Sequence, residues 1–211
     1  MSQPVALFDF DGTLTRRDSF LPYLRQLLGT PALFLRLLQT SPVLLGYLGG
    51  WVANDRAKET LLRACIDGWS FEQLEQVAED YARQQLPGLL RPEGMAKLDW
   101  HREQGHSCVL VSASLDLYLK PWAARESFDG LLCSSLQVDE QGKVSGLLAG
   151  ENCHGEIKVK LIREWLAGRD VGTLYAYGDT RGDLPMLRMA DEGYLWKDGG
   201  FIPISAVQKS V

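Results

Sequence analysis

The sequence predicts an α/β fold: a parallel sheet covered by helices on both faces and interrupted by an all-helical insertion. Three observations predict it. Short apolar runs recur without clean polar alternation, as in "PVALFD" at 4–9, "SCVLVS" at 107–112 and "TLYAYG" at 173–178. That is the pattern of strands buried on both faces. Helical patterns separate the later runs, the rhythm of strand–helix–strand units. Residues 15–87, by contrast, hold no convincing strand.

The elements follow in order. Residues 4–9 form the first strand. Within 15–87, Ser70 and Gln73 have capping-box spacing, and Phe71, Leu74, Val77 and Tyr81 continue a helix. Residues 37–54, "LLQTSPVLLGYLGGWVAN", carry no formal charge. A spanning helix needs ~20 mainly apolar residues. Gln39, Thr40, Ser41, Pro42 and three glycines argue against one here. The favoured reading is a helix pair packed into the core or insertion. A membrane-surface or lipid-accepting face is the alternative. A helix over 92–104 starts near Pro92 and stops at Gly105. Strands are expected at 107–112 and 130–136, and a hairpin over 137–150 turns at Gln141-Gly142. A helix over 155–167 puts Val159, Ile162 and Leu166 on one stripe, with Trp165 nearby, before Gly168. Strands at 173–178 and 193–196 finish the sheet. The expected domains are a discontinuous core, 1–14 plus 88–211, and a helical insertion, 15–87.

Composition bounds the function. The 211 residues are 45% hydrophobic and 23% charged, with a formal charge of −5. No basic footprint points to nucleic acid. Anionic substrates must therefore meet local positive charge, from a lysine, a helix end or a metal. Cys65, Cys108, Cys133 and Cys153 lack metal-ligand spacing. With no signal segment at the start, a reduced, cytoplasmic protein is expected.

Ligands of parallel α/β sheets bind beyond the carboxyl ends of the strands. Asp9 and Asp11 follow the first strand, Ser112, Ala113 and Ser114 the second, and Asp179 and Asp183 the fourth. Residues two apart on extended backbone point the same way, so Asp9 and Asp11 can share a cavity. Two close carboxylates repel, which raises one pKa and divides their labour between nucleophile and proton carrier. Asp179 and Asp183 add hard oxygen ligands of the kind Mg²⁺ prefers. Asp183 can also cap the following helix. Ser112 and the next backbone N–H groups make an anion cradle, and Ser114 as a plain helix cap is the competing reading. Lys158 is placed to neutralise phosphate charge, Lys160 competes for that role, and a solvated helix face is the competing reading for either. His154, four residues earlier, can share its helix face, though a surface or capping histidine is the commoner case. Asp18 either caps the helix of "SFLPYL" or faces the cavity.

Together these residues resemble the haloacid dehalogenase superfamily of aspartate-nucleophile phosphatases. "DFDGT" is similar to its first motif, "VLVSAS" to its second, "GEIKV" to its third and "GDTRGD" to its fourth. The order and spacing cover almost the whole chain. The insertion resembles the helical C1 cap of subfamily IB, which includes phosphoserine phosphatases. "CHGEIKV" and "YGDTRGDLPML" look most like the phosphatidylglycerophosphate and histidinol-phosphate phosphatases. The resemblance implies a Rossmann-like core and an Mg²⁺-dependent phosphomonoesterase. It makes Asp9 the nucleophile that forms an aspartyl-phosphate and Asp11 the general acid and base. Mg²⁺ would be held by the carboxylates of Asp9 and Asp179 and the backbone carbonyl of Asp11, with Asp183 supporting the shell. Ser112 and the Ala113 N–H would hold phosphate, and Lys158 would bridge nucleophile and phosphate.

Four positions depart from phosphoserine phosphatases. Ala113 and Ser114 replace a glycine pair, His154 occupies the slot of a motif lysine, and Asp18 replaces a substrate-reading glutamate. The expected substrate is a small phosphate monoester, amino-acid-like or histidinol phosphate. A lipid head-group phosphate is the alternative, with the insertion as a peripheral membrane contact. A non-catalytic phosphate-responsive binding protein and a phosphotransferase are the other classes carried. Oligomeric state is not legible.

Overall fold

The computed structural model describes residues 2–207. The chain runs through β1 (Gln3–Phe8), α1 (Phe20–Leu28), α2 (Thr30–Leu48), α3 (Asn54–Ile66), α4 (Phe71–Gln84), α5 (Pro92–Glu103) and β2 (Ser107–Leu115). Next come α6 (Asp116–Arg125), β3 (Gly130–Ser134), β4 (Leu136–Val138), β5 (Val144–Leu148) and α7 (Glu156–Leu166). Then β6 (Val171–Gly178), α8 (Leu184–Met189), β7 (Glu192–Lys197), β8 (Gly200–Pro203) and α9 (Ile204–Val207) follow.

The main sheet has the order β3-β2-β1-β6-β7-β8. The pairs from β3 to β7 are parallel, and β8 joins antiparallel at the edge. Both faces are covered, which is why the strands read as unbroken apolar runs. Val5 and Leu7 pack with Val109, Val111, Ile162 and Ala176 on one side. Ala6 and Phe8 pack with Leu110 and Tyr177 on the other. That second core runs on into the insertion, through Tyr23, Leu24, Leu62, Ile66, Leu74 and Tyr81.

The stretch between β1 and α5 contains helices α1 to α4 and no strand of the sheet. The chain enters and leaves it side by side. Thr15 and Leu90 form an antiparallel bridge, and the N–H of Arg91 donates to Leu14 O at 2.8 Å. The β4–β5 hairpin packs on α3. A Cβ at Gly146, which sits at φ +74°, would lie 2.5 Å from Arg63 N.

Several details differ from expectation. The run 37–54 is not a helix pair but the second half of one long helix, α2, which carries Pro42 internally, followed by a turn. Ser70 makes no side-chain cap. Instead it bridges to Lys143, and the Phe71 N–H donates to Gly142 O at 2.8 Å, so the hairpin satisfies this helix end. The run 130–136 is split between β3 and the hairpin. Strand β2 continues past Ser112 to Leu115, with an irregularity in its pairing between those residues. Finally, β8 was not expected.

Beneath the sheet, His101 is wholly buried. It hydrogen-bonds Tyr177 Oη at 2.9 Å and His106 Nδ1 at 2.8 Å. Burial, aided by His106, lowers its pKa from 6.5 to about 4. The unfolded chain therefore binds this proton at a higher pH than the fold does. Its contribution to stability is present above pH 6.5 and lost as pH falls through that window toward 4. Melting temperature should fall over this range, and the fall should be shallower in His101→Gln. Identical profiles in the two proteins would rule out this assignment.

Candidate active site

The polar residues converge on one cavity of about 440 Å³ at the carboxyl ends of β1, β2 and β6. The local turn explains how the first motif reaches it. Asp11 (φ −74°, ψ 120°) and Gly12 (φ 82°, ψ −16°) have type II turn geometry. Only glycine fits here, because a Cβ on Gly12 would lie 1.9 Å from Asp179 Oδ2.

Asp9 is buried at the cavity floor, and its N–H donates to Tyr177 O at 2.9 Å. Its carboxylate accepts from Lys158 Nζ at 2.5 Å and from Thr13 Oγ1 at 3.2 Å. Lys158 also donates to Asp183 Oδ1 at 2.7 Å and to Val111 O at 3.0 Å. One buried cation thus spans two carboxylates and a main-chain carbonyl of β2. Burial opposes the charge on Lys158, but Asp9 and Asp183 override it and raise its pKa. Burial likewise opposes ionisation of Asp183, yet Lys158 draws its pKa below the ordinary value. Asp9 goes the other way. Burial and Asp183 raise it despite Lys158.

Asp11 lies in the same cavity but in a different electrostatic setting. It accepts from the Ser19 N–H at 2.7 Å and from Ser114 Oγ. Burial, then Asp18, raises its pKa to about 6. Repulsion from Asp9 is therefore not what separates the two aspartates. Each has its own partners.

Ser112 is buried, and its Oγ accepts from the Ser114 N–H at 3.0 Å. Ala113 lines the cavity beside it. Ser114 is not a helix cap, because its hydroxyl is spent on Asp11. Asp183 does not cap α8 by its side chain. Its Oδ2 accepts from Asp179 N, Thr180 N and Thr180 Oγ1 at 3.0–3.2 Å, tying up its own loop. Asp18 caps α1, accepting from the Leu21 N–H at 3.0 Å, and also borders the cavity. His154 stands exposed on the cavity rim, ahead of α7. The expected shared helix face with Lys158 does not form, because Gly155 (φ 60°, ψ −127°) separates them.

A hard divalent cation fits the acidic cluster. Carboxylate oxygens of Asp9, Asp179 and Asp183 lie within 4.8 Å of one another. Asp179 Oδ1 is buried with no hydrogen-bond partner. Burial, then Asp183, lifts its pKa to about 7, and the charge on Lys158 only partly offsets them. The donors are all oxygens, as Mg²⁺ requires.

Sequence reasoning missed Thr13, Ser19, Lys58 and Asn152. Thr13 lay within the recognised motif. Lys58 sits mid-helix in "NDRAKETL", which reads as a solvated face. In the fold it is half-buried and lines the cavity, where burial lowers its pKa to about 8. It donates to Ala113 O and, at 3.2 Å, to Asn152 Oδ1. Asn152 in turn donates to Asn54 Oδ1 at 2.6 Å, so α3 is tied to the loop before α7.

Comparison with known proteins supplies the family. The model of haloacid dehalogenase-like hydrolases matches residues 6–188. Protein CicA of Caulobacter vibrioides is 38% identical over 188 residues, covering 89% of this chain and 83% of that protein. A histidinol-phosphatase of Neisseria meningitidis serogroup C is 23% identical over 195 residues, covering 89% and 87%. A phosphoserine phosphatase structure with a phospho-aspartyl intermediate analogue superposes with a TM-score of 0.65 at 16% identity, covering 92% of this chain and 86% of that one. The chain therefore belongs to the haloacid dehalogenase-like hydrolases, and its fold is that of their phosphatases.

Proposed function

We propose that this protein is an Mg²⁺-dependent phosphomonoester hydrolase acting through an aspartyl-phosphate on Asp9. The observation that carries the reading is the division between the two aspartates. Asp9 is paired with Lys158 beside the acidic cluster, while Asp11 is held apart from it by Ser19 and Ser114. A nucleophile and a proton carrier need those two environments.

Asp9 attacks phosphorus and the bond to the leaving oxygen breaks. Protonated Asp11 gives its proton to that oxygen. The Asp11 carboxylate then takes a proton from water as the water attacks the phosphorus of the acyl phosphate. Asp9 is regenerated and phosphate leaves. Ser112, the Ala113 N–H and Lys158 hold and neutralise the phosphate oxygens. Asp9, Asp179 and the Asp11 carbonyl would hold Mg²⁺, with Asp183 supporting the shell. The metal, when bound, supplies charge neutralisation for the phosphoryl group.

Residues 15–87 act as a cap over the leaving group, and 1–14 with 88–211 form the catalytic core. The hinge is the paired crossing at Thr15 and Leu90. Cap closure excludes water from the phosphoryl group. The cavity offers the leaving group an anion, Asp18, and a cation, Lys58. That pair and the similarity to a histidinol-phosphatase favour a small polar phosphate, amino-acid-like or histidinol phosphate. A lipid head-group phosphate is the second reading, favoured by the apolar wall of Leu21, Leu37, Leu44 and Leu61. Four free cysteines suit a reducing cytoplasm.

The test is phosphate release from an aryl phosphate and from a panel of sugar, amino-acid, nucleotide, histidinol and lipid phosphates. Release with Mg²⁺ and none after chelation is expected. Saturable phosphate binding without release would favour the non-catalytic alternative. Transfer to a competing alcohol would make the protein a phosphotransferase.

A further inference from the structure

The type II turn of Asp11 and Gly12 has freedom of its own, because glycine leaves the positive-φ region at little cost. Type II and type I turns differ by rotation of their central peptide, here Asp11–Gly12. Such a rotation reverses the Asp11 carbonyl and disturbs the backbone from which the Asp11 carboxylate reaches Ser114. Two side chains oppose it. The Gly12 N–H donates to Thr15 Oγ1 at 3.1 Å, and the Gly12 carbonyl accepts from Arg91 Nη2 at 2.9 Å. Both peptide groups that flank the Gly12 Cα are pinned.

The two pins sit on the two crossings of the hinge. Thr15 lies on the chain leaving the core, and its bridge partner Leu90 lies on the chain returning to it, directly before Arg91. Three residues after Arg91, a Cβ at Gly94 would lie 2.6 Å from Thr13 O. The start of α5 therefore rests against the main chain of the catalytic turn.

Arg91 is built into this corner. Its guanidinium lies 4.0 Å from the centroid of the Trp196 ring, a cation–π contact, and Phe201 braces Trp196 edge-on. Its Nε is buried with no hydrogen-bond partner among the described residues, a cost that a solvated arginine would not bear. A planar guanidinium stacked on a ring has its N–H groups fixed in direction. Stacking alone does not require one of them to meet Gly12.

We propose that Arg91 is a positioning residue for the proton carrier Asp11. It holds the Gly12 carbonyl, fixes the turn, and links the hinge of the cap to the group that serves the leaving oxygen. The role rests on Asp11 being the group that protonates that oxygen.

The test uses the full chain with Mg²⁺ and two esters, 4-nitrophenyl phosphate and the alkyl phosphate that the wild type hydrolyses fastest. The ratio kcat/KM covers the steps through formation of the aspartyl-phosphate. Nitrophenolate leaves without a proton, whereas an alkoxide needs one. Arg91→Met keeps an apolar stem against Trp196 and loses the donor. It should hold kcat/KM on the aryl ester within about threefold and lose roughly tenfold or more on the alkyl ester. Arg91→Lys, which keeps a donor, should recover most of that loss. Equal losses on the two esters, or none on the alkyl ester, overturn the proposal. Amide exchange at Gly12, followed by NMR, reads the pin without turnover. It should be roughly tenfold faster in Arg91→Met than in the wild type, at the same melting temperature. Unchanged exchange also overturns the proposal. A wild type that releases phosphate from neither ester sinks the catalytic reading instead, and the exchange rate then decides for Arg91 alone.

Discussion

Asp9→Asn is expected to reduce phosphate release to background, a loss of at least about 10⁴-fold, because the covalent step loses its nucleophile. The fold should survive. Asp9 is buried and its carboxylate is held against its preference for water, so a neutral amide of the same shape removes an unfavourable burial. Lys158 keeps Asp183 at 2.7 Å, so no cation is left unpaired. Thermal stability should stay within about 1 kcal/mol of the parent. Aryl phosphate hydrolysis and a thermal melt on one preparation check both halves. Retained hydrolysis by the folded variant would sink the assignment of Asp9 as nucleophile.

Lys158→Met should fail differently. Activity falls, and so does stability. Lys158 is 2% exposed and lies between two carboxylates, at 2.5 Å from Asp9 and 2.7 Å from Asp183. Removing it leaves both acids buried without a positive partner, a change that costs about 3–5 kcal/mol. The sign of the pH dependence follows. Without the lysine, both carboxyls have folded pKa values above their unfolded ones. Protonation then relieves the burial, so the variant's deficit is small in acid and grows as pH rises through the folded pKa values. Melting curves at pH 5 and pH 8 read this directly. A deficit independent of pH would show that Lys158 acts through packing alone.

Much of this site was legible in the sequence. Asp9 and Asp179 lie just beyond strand ends and Ser112 at the last regular pair of β2 before its irregularity, where apolar runs break into polar residues. Those breaks are local signals, and the parallel sheet gathers them at one edge. Strand β8 also has a local signal. Asp198 and Gly199, both at positive φ, link β7 to β8 as a two-residue hairpin turn. Other features had no local signal. The spacing of Ser70 and Gln73 suggested a capping box, but the β4–β5 hairpin arrives from some 70 residues downstream and takes the helix end instead. Lys58 stands among charged helix residues in the sequence, and only the fold sets it beside Ala113 and Asn152.

The sequence by itself determined the chemistry available, namely two aspartates on a glycine turn, a strand-end serine, a lysine and an acidic loop. Those choices are written in spacings of a few residues, which strand and turn geometry translate directly. The tertiary structure decided how the residues are employed. Lys158 meets Asp9 across 149 positions, and Ser114 meets Asp11 across 103. Such pairings depend on how helices and strands pack, and packing sums over contacts that no short window contains. For the same reason only the fold shows which side of the apolar α2 faces the cavity and which faces outward.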